Sequence, residues 1–155
     1  MIEWQWSRFS QLSTSELHDI LQLRAAVFIV EQQCAYQDID GLDSVSWHLM
    51  AWALNENKTR TLKGYLRVVD PGLKYQEPAI GRVLTSLQVR GQGIGKLLMR
   101  EAISHIECEY GHSRSRISAQ THLQAFYAGF GFQAIGEPYD EDDIPHIEML
   151  RQTEG

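Results

Sequence analysis

A glycine-rich turn between an expected strand and an expected helix restricts the fold of this chain more than any other feature. Three glycines stand within five residues in the segment 90–96. The exposed backbone N–H groups of such a turn, together with the partial positive charge at a helix start, favour binding of an anion such as a pyrophosphate. Arg90 and Lys96 add full positive charges on either side. A turn that binds nothing remains the alternative, because short glycine motifs recur by chance.

The spacing of these glycines excludes the two most familiar nucleotide-binding loops. A P-loop requires glycine at the position of Arg90 and a hydroxyl residue at that of Leu97. A dinucleotide-binding fingerprint requires glycine at Lys96 or at Leu98. The turn therefore indicates a phosphate site within another kind of α/β fold.

Hydrophobic periodicity predicts strands and helices in alternation along the chain. Ser13 and Glu16 form the pattern of a capping box, and apolar residues at helical spacing follow as far as Phe28. A second helix begins at Ile94 and ends at Gly111, and Thr121 has the position of a second capping box. We predict strands at residues 47–54, 62–69, 79–86, 116–119, 132–136 and 146–150, with loops at the acidic segments 36–43 and 137–143.

Length and charge limit the class of protein. The 155 residues suit one domain, and the formal net charge of −6 disfavours nucleic-acid binding, which requires a basic face. The two cysteines are too few for a disulfide scaffold and are expected to be buried free thiols. The first residues lack the pattern of a signal peptide, and no apolar run is long enough to cross a membrane. We therefore expect a cytoplasmic protein with no membrane partner.

Two charged residues interrupt the apolar stripe of the first helix. Arg24 and Glu31 stand seven residues apart on a face that should be buried, where an unpaired charge is costly. They form either a structural ion pair or the wall of a substrate cleft. The two acidic segments allow the same pair of interpretations, as solvated loops or as an attraction for a cationic amine. The His and Asp residues there lack the spacing of a zinc site, so no metal is expected.

Two motifs together resemble one known family. The segment Arg90-Gly91-Gln92-Gly93-Ile94-Gly95 resembles the coenzyme A loop of the GNAT superfamily of N-acetyltransferases, and the segment 127–132 resembles the family's Tyr-x-x-x-Gly-Phe pattern. Segments 21–32, 36–41 and 144–147 are similar to the ElaA-type subgroup. The resemblance covers nearly the whole chain. It implies one α/β domain over residues 1–155, with a central mixed, mostly antiparallel sheet of about seven strands flanked by helices.

The resemblance also implies which residues bind acetyl-CoA as a co-substrate. Backbone groups of the strand before the loop would pair with the pantetheine amides, and the loop itself would hold the pyrophosphate. Gln120 replaces the asparagine that is common in the family seven residues before the tyrosine, so its contact with the cofactor is in question. The implied cofactor-binding residues are Val83, Leu84, Thr85, Arg90, Gly91, Gln92, Gly93, Ile94, Gly95, Lys96 and Gln120.

The implied reaction is acetyl transfer to a primary amine of a small molecule, peptide or protein, by direct attack in a ternary complex. Tyr127 is the expected general acid for the departing thiolate, and backbone N–H groups near Leu84 are expected to stabilise the oxyanion. Glu31 and His122 are candidate bases, with a water relay as the alternative. Residues considered for substrate binding are Arg24, Glu31, His48 and His146, and the two last are also candidate bases. The competing hypothesis is a non-catalytic acyl-CoA-binding module. A homodimer is a further expectation, which rests on the resemblance alone.

Overall fold

Seven strands form one mixed sheet in the computed structural model, which describes residues 1–152. Their spatial order is β1-β2-β3-β4-β5-β7-β6, and every neighbouring pair is antiparallel except β4 and β5. The strands are β1 (Ile2–Arg8), β2 (Ser46–Leu54), β3 (Arg60–Val69), β4 (Ala79–Thr85), β5 (Ser115–Gln120), β6 (Phe132–Glu141) and β7 (Ile144–Arg151). The predicted mixed, mostly antiparallel sheet is confirmed, although β1 is missing from the prediction.

Three α-helices flank this sheet. They are α1 (Thr14–Arg24), α2 (Ile94–Tyr110) and the short α3 (Gln124–Ala128). The capping box that opens α1 is confirmed, since the Ser13 hydroxyl accepts the Glu16 N–H at 3.0 Å and the Glu16 carboxylate accepts the Ser13 N–H at 2.9 Å. Beyond Arg24 the backbone widens into a π-helix, Ala25–Glu31. Such widened turns often occur at functional sites, and this one borders the cleft described below.

The capping box expected at Thr121 is wrong. Residues 121–123 form a single 3₁₀ turn, and no side chain caps either that turn or α3. The chain turns sharply here because only three residues separate the end of β5 at Gln120 from the start of α3 at Gln124. The Tyr127 motif therefore sits on a short helix directly beyond the end of a strand.

The two faces of the sheet bury separate cores. Alternate residues of a strand point to opposite faces, so Leu49 and Ala51 of β2 face α2, whereas Met50 and Trp52 belong to the core that contains Ile20 of α1. The α2 side requires glycine at position 64 on β3, where an added Cβ would lie 2.9 Å from the Leu98 side chain. Close packing on both faces holds the central strands in place.

Two expectations about the acidic and cysteine residues need correction. Residues 137–141 continue strand β6, and only the turn before β7 remains of the expected loop 137–143. Asp142 and Asp143 make that turn with φ values of 52° and 62°. Cys34 is partly exposed and Cys108 is exposed, so neither free thiol is buried. None of the helices in the part of the chain described is long and apolar enough to cross a membrane.

Candidate active site

A cleft opens where β4 and β5 separate. The two parallel strands pair only through Ala79 with Arg116 and Ile80 with Ile117, at the start of each strand. Immediately afterwards the register of β4 against β3 shifts, and Arg82 takes a left-handed backbone conformation with φ of 53°. A bulge of this kind bends a strand and increases its twist. The bent strand forms one wall of a cleft of about 780 Å³, between β4 and β5 and below the π-helix.

The open edge of β4 carries backbone groups with no strand partner. Ser86 donates its N–H to Lys63 of β3 at 2.8 Å, which fixes the direction of the backbone at this end. Since successive peptide groups point to opposite sides of a strand, the N–H and C=O groups of Val83 and Thr85 are directed toward the cleft. Val83, Leu84 and Thr85 all line the cleft, as a ligand-binding edge requires. Because of this alternation, the donors available to an oxyanion are the N–H groups of Val83 and Thr85, and the N–H of Leu84 is directed toward β3.

The glycine turn leads from this edge into α2. Gly91 and Gly93 have φ values of 84° and 81°, in the left-handed region that favours glycine, and open space surrounds both. No side chain caps the helix, and its first backbone bond is donated by Leu97 to Gly93. The preceding N–H groups, of Ile94, Gly95 and Lys96, are consequently free of intrahelical partners. This geometry fits an anion at the helix start, supported by the helix dipole of roughly half a charge.

Arg90 and Glu31 form an ion pair across the mouth of the cleft. Arg90 donates both terminal nitrogens to the Glu31 carboxylate, one of them at 2.7 Å, and also reaches the carbonyl of Thr85 at 3.2 Å. The hydrogen bonds and charge of Arg90 lower the pKa of Glu31. A carboxylate held in this way is a weaker proton acceptor, so the geometry does not favour Glu31 as the base. Among residues 1–152, no hydrogen bond or ion pair engages the ammonium group of Lys96, the other positive charge of the glycine turn.

Tyr127 lines the cleft from α3. The side chain is only 5% exposed and makes edge-on ring contacts with Phe126 and Phe132, at centroid distances of 5.1 Å and 6.3 Å. Within residues 1–152 the hydroxyl has no hydrogen-bond partner. Burial raises the pKa of Tyr127 to about 12, so the phenol keeps its proton at neutral pH. The residue is therefore a fixed, protonated donor in the cleft wall.

The histidines differ in where they lie. His48 is fully buried between the hydroxyl of Tyr65, at 2.6 Å, and the carbonyl of Asp43, at 2.8 Å, and burial lowers its pKa. It does not reach the cleft and is removed from the candidate substrate site. His122 is exposed on the 3₁₀ turn, and His146 is largely buried near the start of β7; both line the cleft. Gln120 also lines the cleft at the end of β5.

Arg24 lies outside the cleft as well. Its guanidinium is 0% exposed and bonds Asp38 at 2.9 Å and Asp43 at 2.8 Å. Arg24 and Glu31 therefore have different partners, and the interpretation of the two as one ion pair is wrong. Because every described contact of Arg24 is internal, it too is removed from the candidate substrate site.

The acidic segment 36–43 is neutralised by the protein itself. Asp43 also accepts from Arg67 at 3.0 Å, and Asp40 accepts from Arg67 at 2.5 Å. Arg82, the bulge residue of β4, lies 2.8 Å from an oxygen of Asp38. Arginines thus compensate the carboxylates, which leaves little charge to attract a cationic substrate. The network instead ties the segment to the strands beneath it.

Several residues that line the cleft are not among those predicted from the sequence. Ser118 follows from alternation along β5, because it shares a face with Gln120. Glu141 and Asp142 fall in a segment interpreted as a loop, so the sequence gives no register for them. The sequence contains no pattern that predicts the bulge at Arg82, because a left-handed backbone conformation is unusual for an arginine.

Comparisons with known proteins agree with this architecture. The model of the acetyltransferase (GNAT) domain family matches residues 17–152. Protein ElaA of Escherichia coli is 42% identical over 99% of this chain and 98% of its own length. A UPF0039 protein of Synechocystis is 44% identical over 96% and 94%, respectively.

Solved structures lead to the same family. A crystal structure described as an acyl-CoA N-acyltransferase from Pseudomonas aeruginosa has a TM-score of 0.90 and 44% identity, covering 98% of this chain and 100% of that one. The crystal structure of E. coli ElaA gives a TM-score of 0.88 at 40% identity, covering 98% and 100%. An aminoglycoside 6′-N-acetyltransferase complexed with coenzyme A, with 13% identity and a TM-score of 0.65, shares the fold. The chain belongs to the GNAT family of acetyltransferases.

Proposed function

We propose that this protein transfers an acetyl group from acetyl-CoA to a primary amine by direct attack within a ternary complex. One observation carries the proposal: Tyr127, whose hydroxyl has no hydrogen-bond partner within residues 1–152, lines the same cleft as the open edge of β4. A proton donor beside a row of free backbone groups suits the departure of a thiolate from a thioester. The glycine turn supplies the anion site that the phosphates of coenzyme A require.

Binding is assigned to backbone groups of two elements. The N–H groups of Gly91 and of Gly93 to Lys96 hold the pyrophosphate, since that of Gln92 is donated to the Val89 carbonyl, and the peptide groups of Val83 and Thr85 pair with the pantetheine amides. This fit is supported by the conformation of Gly91 and Gly93, which leaves space where side chains would otherwise stand. The cofactor-binding roles expected of Val83, Leu84 and Thr85 rest on the position of these residues along the open edge of β4. Arg90 and Gln92 support the turn, and Arg90 does so while paired with Glu31.

The chemistry then needs few groups. The amine nitrogen forms a bond to the thioester carbonyl carbon, and the carbon–sulfur bond breaks with its electron pair remaining on sulfur. Backbone N–H groups at the open edge of β4 stabilise the transient oxyanion. Tyr127 donates its phenolic proton to the thiolate, and the proton that the neutral amine releases restores the phenol directly or through water, so the transfer is balanced.

Amine-dependent release of free thiol from acetyl-CoA tests this function. We expect thiol to appear in proportion to the acetylated amine when the protein is incubated with a panel of primary amines. Calorimetry with coenzyme A measures the binding step separately. If coenzyme A binds and no amine in a broad panel releases thiol, the protein is a non-catalytic acyl-CoA-binding module, which is the competing function.

The glycine turn itself is tested by Gly93→Glu. We expect the affinity for coenzyme A to fall at least about 30-fold, because the side chain strains a left-handed position by about 1–2 kcal/mol and places a negative charge at the anion site. Calorimetry measures the affinity. The matched control is Gly111→Glu at the other end of α2, where φ is 77° and open space again surrounds the residue. If both variants bind coenzyme A equally well, the turn is not the phosphate site.

A further inference from the structure

One ring nitrogen of His146 is hydrogen-bonded, and the other has no hydrogen-bond partner among residues 1–152. Its side chain lines the cleft near the start of β7, and the residue is 8% exposed. Nδ1 lies 2.7 Å from the carbonyl oxygen of Ile144. A carbonyl only accepts hydrogen bonds, so Nδ1 must carry the proton. In the neutral ring Nε2 then has its lone pair available, which is the state of a proton acceptor.

The surroundings of this ring hold it in place. It stacks on the ring of Tyr139 at a centroid distance of 6.2 Å and an angle of 25°. The Tyr139 hydroxyl is in turn hydrogen-bonded to Ser118 of β5. The imidazole is thus oriented by contacts from β5, β6 and its own strand, which is how a catalytic histidine keeps one orientation.

Glu141 lies beside the free nitrogen. Its carboxylate oxygen is 3.4 Å from Nε2, beyond ordinary hydrogen-bond distance but close enough for a strong electrostatic interaction. Nε2 has no hydrogen-bond partner among residues 1–152. Glu141 also lines the cleft, with 46% of its side chain exposed. A half-exposed carboxylate and a largely buried imidazole nitrogen therefore lie side by side in the same cleft as Tyr127.

The other candidate bases lack this combination. His122 is exposed and has no described contact that fixes its tautomer, and Glu31 is bound by Arg90. His48 is enclosed between Tyr65 and Asp43. Further titratable groups that line the same cleft include Asp142, which follows Glu141 in the chain, and Cys34 and Lys74 from two other segments.

We propose that Glu141 and His146 form the acceptor subsite, an inference that rests on the proposed acetyl transfer. Glu141 attracts an alkylammonium group, and His146 accepts a proton from its nitrogen at Nε2. The N–H bond breaks, and its electron pair becomes the lone pair that attacks the thioester carbon. The departing sulfur takes its proton from Tyr127, and the second proton that the nitrogen loses as the amide forms restores the phenol of Tyr127, so that the step balances with one proton left on His146. The acceptors are accordingly primary alkylamines that are protonated in solution.

The variant His146→Asn tests the proton transfer. Its side-chain amide keeps a donor for the Ile144 carbonyl but has no equivalent of Nε2. We expect kcat to fall by at least about 100-fold with alkylamines, while the affinity for coenzyme A and Tm stay unchanged. The loss should be much smaller with aniline, which is already neutral at neutral pH. An equal loss for both kinds of amine indicates a structural role and overturns the proposal, as does a kcat within a few-fold of the original.

A measurement without turnover separates this inference from the proposed function. In ¹⁵N-histidine-labelled protein, the resonances of His146 are assigned by their loss in His146→Asn. We expect the tautomer with the proton on Nδ1 and a shift of Nε2 when butylammonium is added with coenzyme A present. A proton on Nε2 overturns the subsite even if the enzyme is active. If instead no amine releases thiol, the transferase function fails while these resonances still decide whether the subsite binds an ammonium ion.

Discussion

Replacing Tyr127 by phenylalanine is expected to lower kcat about 100-fold or more while leaving the affinity for coenzyme A unchanged. The substitution removes only the proton donor for the thiolate, and general acid catalysis contributes about 10²–10⁴-fold. Stability should not fall, because the hydroxyl has no hydrogen-bond partner among the described residues and its removal leaves no polar group unpaired. Thiol release, calorimetry with coenzyme A and thermal unfolding give the three quantities.

Tyr65→Phe is the matched control for this result. Tyr65 is also buried, but its hydroxyl lies 2.6 Å from Nδ1 of His48, so its loss leaves a buried ring nitrogen without a partner. We expect Tyr65→Phe to lower Tm with a much smaller effect on kcat. The acid role of Tyr127 is contradicted if Tyr127→Phe retains kcat, or if it loses stability and activity together as the control does.

Asp43→Asn should lower the free energy of unfolding by about 3–5 kcal/mol, the usual cost of removing one member of a buried ion pair. One carboxylate oxygen of Asp43 contacts both Arg24 and Arg67, at 2.8 Å and 3.0 Å. Neither arginine has access to water that could compensate, since both are at most 1% exposed. Urea unfolding at neutral pH measures the change. Glu3→Gln, which breaks the exposed pair with Arg60, should cost no more than about 1 kcal/mol.

The same carboxylate should make the protein sensitive to acid. Burial alone would raise the pKa of Asp43, but the charges and hydrogen bonds of Arg24 and Arg67 outweigh it and lower the pKa. The resulting stabilisation is complete above the unfolded pKa of about 3.9 and disappears as the pH falls through the lower folded value. The difference between the original protein and Asp43→Asn should therefore shrink in acid. A difference that is constant with pH would contradict the assignment.

Local patterns predicted much of the fold. The capping box at Ser13, the glycine stop of α2 and the apolar strands all depend on neighbours within a few residues, and the structure confirms them. Strand β1 was also within reach, since Ile2, Trp4 and Trp6 alternate with polar residues. The acidic end of β6 was not, because its strand state comes from pairing with β7 rather than from its own composition.

The site was predictable where it depends on backbone conformation and less so where it depends on partners. Glycine spacing indicated the turn at Gly91 and Gly93, and the structure gives both glycines a left-handed backbone conformation. Arg24 could not be placed, because its partners Asp38 and Asp43 lie 14 and 19 residues away. His146 acquires its orientation from Ile144 and Tyr139, contacts that a spacing rule does not contain.

The open edge of β4 also bears on how the chain avoids unwanted association. Unpaired peptide groups on an outer strand invite pairing with another polypeptide, which is a common route to aggregation. Here the peptide groups of Val83 and Thr85, which have no strand partner among the described residues, lie within the sheet, between two of its own strands. A second polypeptide strand could pair with them only if β4 and β5 moved further apart, and that movement would disrupt the packing of helices on both faces of the sheet. A narrow extended molecule with amide groups would pair with the same edge without forcing the strands apart. The gap between β4 and β5 would therefore select a ligand by its width as well as by its hydrogen bonds.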